Sequence, residues 1–222
     1  MFQDRHPDAA PAPPALATVP RPDPRRRLLD AMIQTVAQQG YDRTTISRVL
    51  ASADVQEAVF SEHFHDKHDC FLAAVEEMCA AAERVAVEQF GEALPWPERV
   101  RLALASLLDA LAHHPDGASV AFVEMLSAGP AAHARGRAAL ALFTALMEQG
   151  RSYTDPGQLP EHTSEAIVGG IVAIVHRHVL QAETAALAAL HADLTYFALL
   201  PYLDHDRALA VATSTASRAG TG

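Results

Sequence analysis

A chain of 222 residues can hold one sizeable domain or two small ones with real cores. Half of the residues are apolar, yet no apolar run approaches the roughly 18 residues of a membrane span, and the richest stretch, GGIVAIV, stops at His176, Arg177 and His178. The formal net charge of -10 is uneven: residues 23–67 carry six basic and seven acidic side chains, and residues 68–222 carry nine and eighteen. The C-terminal part is therefore set against nucleic acid, and any DNA contact falls to the near-neutral N-terminal part.

No basic region followed by an apolar run opens the chain, so no signal peptide is expected. The two cysteines, Cys70 and Cys79, sit nine apart on one predicted helix, too far along its axis to pair. A reduced, cytoplasmic protein is the expectation.

Residues 1–22 are mostly Pro, Ala and polar, and the composition predicts a disordered extension. Asp23 suits a helix N-cap and Pro24 the first helical position. Leu28, Leu29, Met32, Ile33 and Val36 then recur at helical spacing up to Gly40. Thr44 is the expected cap of a second helix over about 44–51. Val55 opens a third over about 55–61, and Asp66 caps a long fourth over about 67–90. Pro95 and Pro97 mark a break before 97–113. Pro115 and Pro130 begin helices ending near Ser127 and Gln149. The loop RSYTDPGQLP precedes the last two helices, 161–182 and about 188–203, and Pro201 should kink or end the latter. No alternating strand pattern and no internal repeat occurs. The expected fold is all-α, with about nine helices.

Helices 2 and 3, joined by three residues, have the length pattern of a helix-turn-helix. Ile46, Val49 and Leu50 face inward from the first of them. Ala53 is small where the pair approach, and Val55, Phe60 and Phe64 supply the other wall. Gln56, Glu57, Ala58, Val59, Ser61 and Glu62 are left pointing outward. An ordinary surface helix in a bundle would show the same pattern.

The stretch from Arg25 to Glu77 resembles the N-terminal domain of TetR-family transcriptional regulators. The resemblance rests on the Gly40-Tyr41 pair, Thr44-Thr45, Ile46, Ala53-x-Val55, Phe60, His63-Phe64, Asp66-Lys67 and Phe71-Leu72. The closing LTYFALLPYLD also resembles the last helix of many members. The resemblance implies a DNA-binding helix-turn-helix domain over 23–67, a ligand-binding and dimerisation domain over 68–210, and a disordered tail over 211–222. It also implies a homodimer that places helix 3 in the major groove of a palindromic operator. Such a protein is usually a repressor, released when a small molecule binds the C-terminal domain.

Three positions depart from the family. Asp54 stands where a small residue, often Gly, is common. Ser61 replaces a phosphate-binding Tyr, and Glu57 replaces a frequent Lys or Arg. Glu57 and Glu62 raise the cost of approaching a polyanion. The expected DNA-binding set is therefore Arg43, Thr44, Thr45, Arg48, Gln56, Glu57, Ala58, Val59, Ser61, His63 and Lys67. The start of helix 2 offers Thr44 and Thr45 hydroxyls and backbone N–H groups to phosphate, flanked by Arg43 and Arg48. Lys67 matches the family's Lys and reaches the opposite side of the groove. Arg25, Arg26 and Arg27 form an arm toward the backbone. Gln56 can read adenine; Glu57 either accepts from cytosine N4 or stays solvated.

In the C-terminal body, Leu104, Leu108, Leu111, Phe122, Met125, Leu126, Phe143 and Met147 are candidates to line a pocket for an apolar effector, or are simply core. His113, His114 and Glu124 are candidate polar handles, and RSYTDPGQLP a candidate entrance. Ile167, Gly170, Ile171, Ile174, His178, Leu194, Phe197 and Tyr202 are the candidate dimer interface, two helices from each subunit forming a four-helix bundle. His176 and His178 are candidates to tune dimerisation with pH. His63, His65 and His68 lie near Asp66 and Asp69, but no metal-ligand spacing supports zinc. No metal or cofactor is expected, and no nucleophile motif, Glu-x-x-His pair or Gly-rich phosphate loop supports an enzyme. The alternative that remains is a TetR-like dimeric binding module that has lost DNA binding.

Overall fold

The computed structural model describes residues 23–89 and 94–214, omitting the side chains at 82, 83, 85–89 and 126. The expected extension over 1–22 and the end of the tail, 215–222, lie outside the described residues. Every regular element described is helical.

Helix α1, Pro24–Gln39, starts as its first residues dictate: Asp23 accepts from the Arg26 N–H at 2.8 Å and Pro24 fills the first turn. It ends at Gly40, whose φ of 86° suits a residue without Cβ. Helices α2, Ile46–Ala53, and α3, Glu57–His63, each begin two residues later than the spacing predicts. Thr45, not Thr44, is the cap of α2, because Thr44 is buried and turned to the preceding loop. Asp54 ends α2 with φ 53° and ψ 53°, left-handed backbone that Gly takes most easily and that Asp tolerates. Helix α4, Lys67–Gln89, opens on a pair of side-chain bonds: Asp66 accepts from the Asp69 N–H, and Asp69 accepts from the His65 N–H.

The body continues with α5, Trp96–His113, α6, Pro115–Phe122, and α7, Pro130–Glu148. The single helix expected from 115 to 127 is broken at Val123, after which Glu124–Leu126 makes one 3-10 turn. Helix α8 is Thr163–Leu180 and α9 is His191–Leu199. Pro201 ends α9, and a further helix not expected from the periodicity, α10, runs His205–Thr213 from an Asp204 cap. It carries ordered backbone past residue 210, where a disordered tail was expected to begin. Among the described residues no helix is long and apolar enough to cross a membrane.

Two apolar clusters hold the chain. One joins Leu28, Met32, Val36, Val49, Phe60, Phe64 and Phe71 of the first four helices, and it also takes in Val120, Met125, Ala128 and Ala132 from the α6–α7 region. The other gathers Val100, Leu104, Leu108, Val175, Leu187 and Leu199 from α5 to α10. Each fully buried Leu or Val among them contributes about 1.5–3 kcal/mol relative to exposure.

Candidate nucleic-acid interface

The outward face of the helix pair is built as a reading surface would be. Gln56, Glu57, Ala58, Ser61, Glu62 and His63 are exposed, while Val59 is half-buried and Phe60 holds α3 to the core. Ser61 Oγ donates to the Glu57 carbonyl one turn back, at 3.2 Å. Gln56 occupies the N-cap position of α3 without using its side chain there, and it is exposed.

At the start of α2 the two threonines separate. Thr45 is exposed and caps the helix by accepting from the Arg48 N–H. Thr44 is 2 % exposed, and its hydroxyl donates to the Gly40 carbonyl at 2.9 Å. The expectation that Thr44 offers a hydroxyl to phosphate is therefore corrected. A buried hydroxyl already paired within the turn cannot reach a ligand without breaking that bond. Arg43 and Arg48 remain exposed beside Thr45, with Arg48 hydrogen-bonded to Gln39 Oε1.

The basic start of α1 is not a loose arm. Arg27 donates to the Ala53 and Asp54 carbonyls at 3.1 and 3.0 Å, satisfying the last carbonyls of α2. Arg26 pairs with Asp30 and Glu77, and Arg25 lies over the Phe64 ring. These contacts compete with phosphate for the same charges.

Tyr41 is the node of the turn between α1 and α2. Lys67 Nζ donates to its carbonyl at 2.9 Å and lies 4.2 Å from its ring centroid. Its hydroxyl meets His68 Nδ1 at 3.1 Å. Burial, then the charges of Asp66 and Asp42, push the Tyr41 phenol above its ordinary range. Asp66 is held below the usual carboxylate range, chiefly by the Asp69 backbone N–H it accepts. Lys67 thus has a structural task that sequence spacing alone does not reveal.

The residues expected to line an effector pocket are divided by the fold. Leu104, Leu108, Leu111 and Met147 are buried in the second cluster, with Phe122 and Phe143 packed on it. Met125 belongs instead to the first cluster, against α1–α4. Leu126 lies in the 3-10 turn. Two solvent-open grooves, of about 510 and 430 Å³, run along α7 and α8, and they share Thr144, Glu148 and Glu165. None of the expected lining residues borders either groove. The expected entrance loop is pinned: Arg151 donates to the Leu159, Pro160 and Glu161 carbonyls. His113 and His114 are exposed at the end of α5, and Glu124 turns toward the first four helices, accepting from the Tyr41 N–H at 2.9 Å.

The candidate dimer residues also separate. Ile167, Ile171, Leu194 and Tyr202 are buried within the chain, so they support α8 and α9 from inside rather than presenting a surface. Tyr202 shares a buried hydrogen bond with Ser164 at 2.8 Å. Ile174 and Gly170 are half-buried, and His178 is largely covered and meets Glu183 at 3.2 Å. Phe197 is 44 % exposed, and a Cβ on Gly170 would lie 3.3 Å from its ring. Ala166, Gly169 and Ala173 of α8, and Leu200 at the end of α9, complete an exposed, mostly small and apolar stripe, with Arg177 and Leu180 continuing it on α8. The sequence signal for Leu200 was present, since it lies three residues after Phe197.

Residues 28–74 match the sequence profile of the family described as bacterial regulatory proteins, tetR family. No curated protein matches the chain. Solved structures match over most of its length. The fatty acid degradation regulator FadR from Bacillus halodurans is 19% identical, with a TM-score of 0.70 over 79% of this chain and 97% of that one. FadR from Bacillus subtilis, solved in complex with stearoyl-CoA, is 18% identical, with a TM-score of 0.68 over 79% and 98%. A regulatory protein of the tetR family from Rhodococcus RHA1 is 20% identical, with a TM-score of 0.66 over 82% and 97%. At these identities the likeness shows a shared fold.

Proposed function

On the premise that the chain is a TetR-family protein, with that family's DNA-binding domain over residues 28–74, we propose that it is a dimeric transcriptional repressor. It binds a palindromic operator through α3 and the start of α2, and an apolar small molecule in the C-terminal body releases it. The observation that carries the reading is the helix pair itself. Phe60 anchors α3 from beneath, while Gln56, Glu57, Ala58, Ser61 and His63 stay exposed beside Thr45, Arg43 and Arg48. In this arrangement Gln56 reads a base edge, and Arg43, Thr45 and Arg48 hold phosphates. Phe197, Leu200 and the small residues of α8 meet their copies in the second subunit, within the cytoplasm.

The acidic balance favours a second reading, a dimeric small-molecule-binding module without DNA binding, because Glu57 and Glu62 are both exposed on the reading face. Selection of bound duplexes from a random pool, at low salt and with the full-length chain, separates the two. The repressor reading expects an enriched palindrome whose affinity falls with a slope of about -0.9 per neutralised phosphate on a log–log salt plot. No enrichment from a folded dimer would leave the module.

A further inference from the structure

We propose that Glu124 is a positioning residue for DNA recognition: from the C-terminal body it holds the turn from which α2 begins.

The contact crosses 83 residues of sequence. Glu124 Oε2 accepts the Tyr41 N–H at 2.9 Å, partly shielded from solvent. Neighbouring groups of that turn pair within the first four helices. The Gly40 carbonyl takes the Thr44 hydroxyl, and the Tyr41 carbonyl takes Lys67 Nζ and the Thr44 N–H. The Tyr41 N–H instead takes its acceptor from beyond α4. A backbone N–H donating to an ionised carboxylate makes a shorter and stronger bond than one donating to a neutral oxygen.

The carboxylate lies in ordinary contact with the turn. Gly40 has a φ of 86°, and a Cβ built there would lie 3.5 Å from Glu124 Oε2. Five residues on, Thr45 caps α2, and its exposed hydroxyl and the first N–H groups of α2 form the phosphate-facing end. A shift of the 3-10 turn Glu124–Leu126 is thereby a shift of that end. Met125, next to Glu124, is buried in the α1–α4 cluster, so the turn is seated on both sides of the bond. The DNA part of this inference rests on the repressor reading above.

The test uses the full-length chain, with Glu124→Met, which keeps side-chain length without the acceptor, and Glu124→Gln, which keeps an acceptor. Amide exchange followed by NMR gives the first readout. In the wild type the Tyr41 amide should be protected; an unprotected Tyr41 amide would overturn the proposal before any variant is made. In Glu124→Met it should exchange about tenfold faster, while the Gly40 amide, bonded to the Val36 carbonyl within α1, should not change. Glu124→Gln should stay near wild type.

The second readout is affinity for a duplex chosen by the wild type. It should weaken about five- to tenfold in Glu124→Met and recover in Glu124→Gln. Faster exchange with unchanged affinity would overturn the positioning role. If the wild type selects no duplex, the repressor reading fails, while the exchange arm still decides whether Glu124 holds the turn.

Discussion

Lys67 Nζ donates to the carbonyl of Tyr41 and lies over the same residue's ring, 4.2 Å from its centroid. One ammonium therefore closes the α1–α2 turn onto the first turn of α4. Lys67→Ala should lower stability by about 1–2 kcal/mol, from a lost charged hydrogen bond and a cation–π contact. It should also weaken DNA binding on every sequence. A urea titration alongside binding to unrelated duplexes checks both; unchanged stability would show that the contact is not held in solution.

Arg43 and Gln56 should divide the work of recognition. Both are exposed, Arg43 beside the α2 start and Gln56 at the head of α3. Arg43→Ala should weaken binding uniformly and reduce the salt slope by about 1. Gln56→Ala should relax preference at one position per half-site, costing about 1–3 kcal/mol against the preferred base. Competition with single-base variants of the selected site distinguishes them. Equal loss on all variants for Gln56→Ala would remove it from base reading.

Gly150 packs against the chain's single tryptophan. A Cβ there would sit 2.4 Å from the Trp96 ring and 2.8 Å from that of Tyr202. Trp96 cannot simply rotate away, because its indole N–H donates to the Leu146 carbonyl at 2.6 Å. Gly150→Ala should cost about 1–3 kcal/mol by overpacking. Tryptophan fluorescence during denaturation reports the shift at the perturbed residue itself.

The two thiols should react at different rates. Cys70 is fully buried, and burial pushes its thiol up to about 12, so the reactive thiolate is scarce at neutral pH. Cys79 is half-buried. Labelling with a maleimide at pH 7.5 should modify one thiol per native chain and two after denaturation. Rapid modification of Cys70 in the native state would mean that α4 opens locally.

Phe197 and Ile171 should report different losses. Phe197 is exposed on α9, and Phe197→Glu should convert the proposed dimer to monomer while leaving protomer stability within about 1 kcal/mol. Ile171 is buried in the second cluster, and Ile171→Ala should cost about 2–5 kcal/mol of stability. Sedimentation velocity with thermal melting separates assembly from folding. A stable Phe197→Glu dimer would move the interface elsewhere.

Local signals carried the N-terminal half well. Asp23, Pro24, Gly40 and Asp66 act through neighbours within four residues, so composition and spacing reveal them. The α2 cap was misplaced by one residue because Thr44 and Thr45 are chemically alike, and only the long-range environment decides which is buried. The family profile covers residues 28–74, within the first four helices. The body offered apolar periodicity alone, which marks a helix face as inward without saying inward to what. Met125 therefore looked like pocket and lies under α1–α4. Ile171 looked like interface and lies within the protomer. Glu124 looked like a ligand handle, since nothing local announces a partner 83 residues away.

The first cluster borrows Val120, Met125, Ala128 and Ala132 from beyond α4. A fragment cut after α4 would expose the apolar floor those four side chains cover, and would be prone to aggregate rather than fold as a small reading head. The same seam limits grafting. A chimera joining residues 23–89 to another protein's effector body would need these four residues, and Glu124 with them, transplanted as part of the head. The unit that can be exchanged between proteins of this shape is thus larger than the stretch proposed to touch DNA.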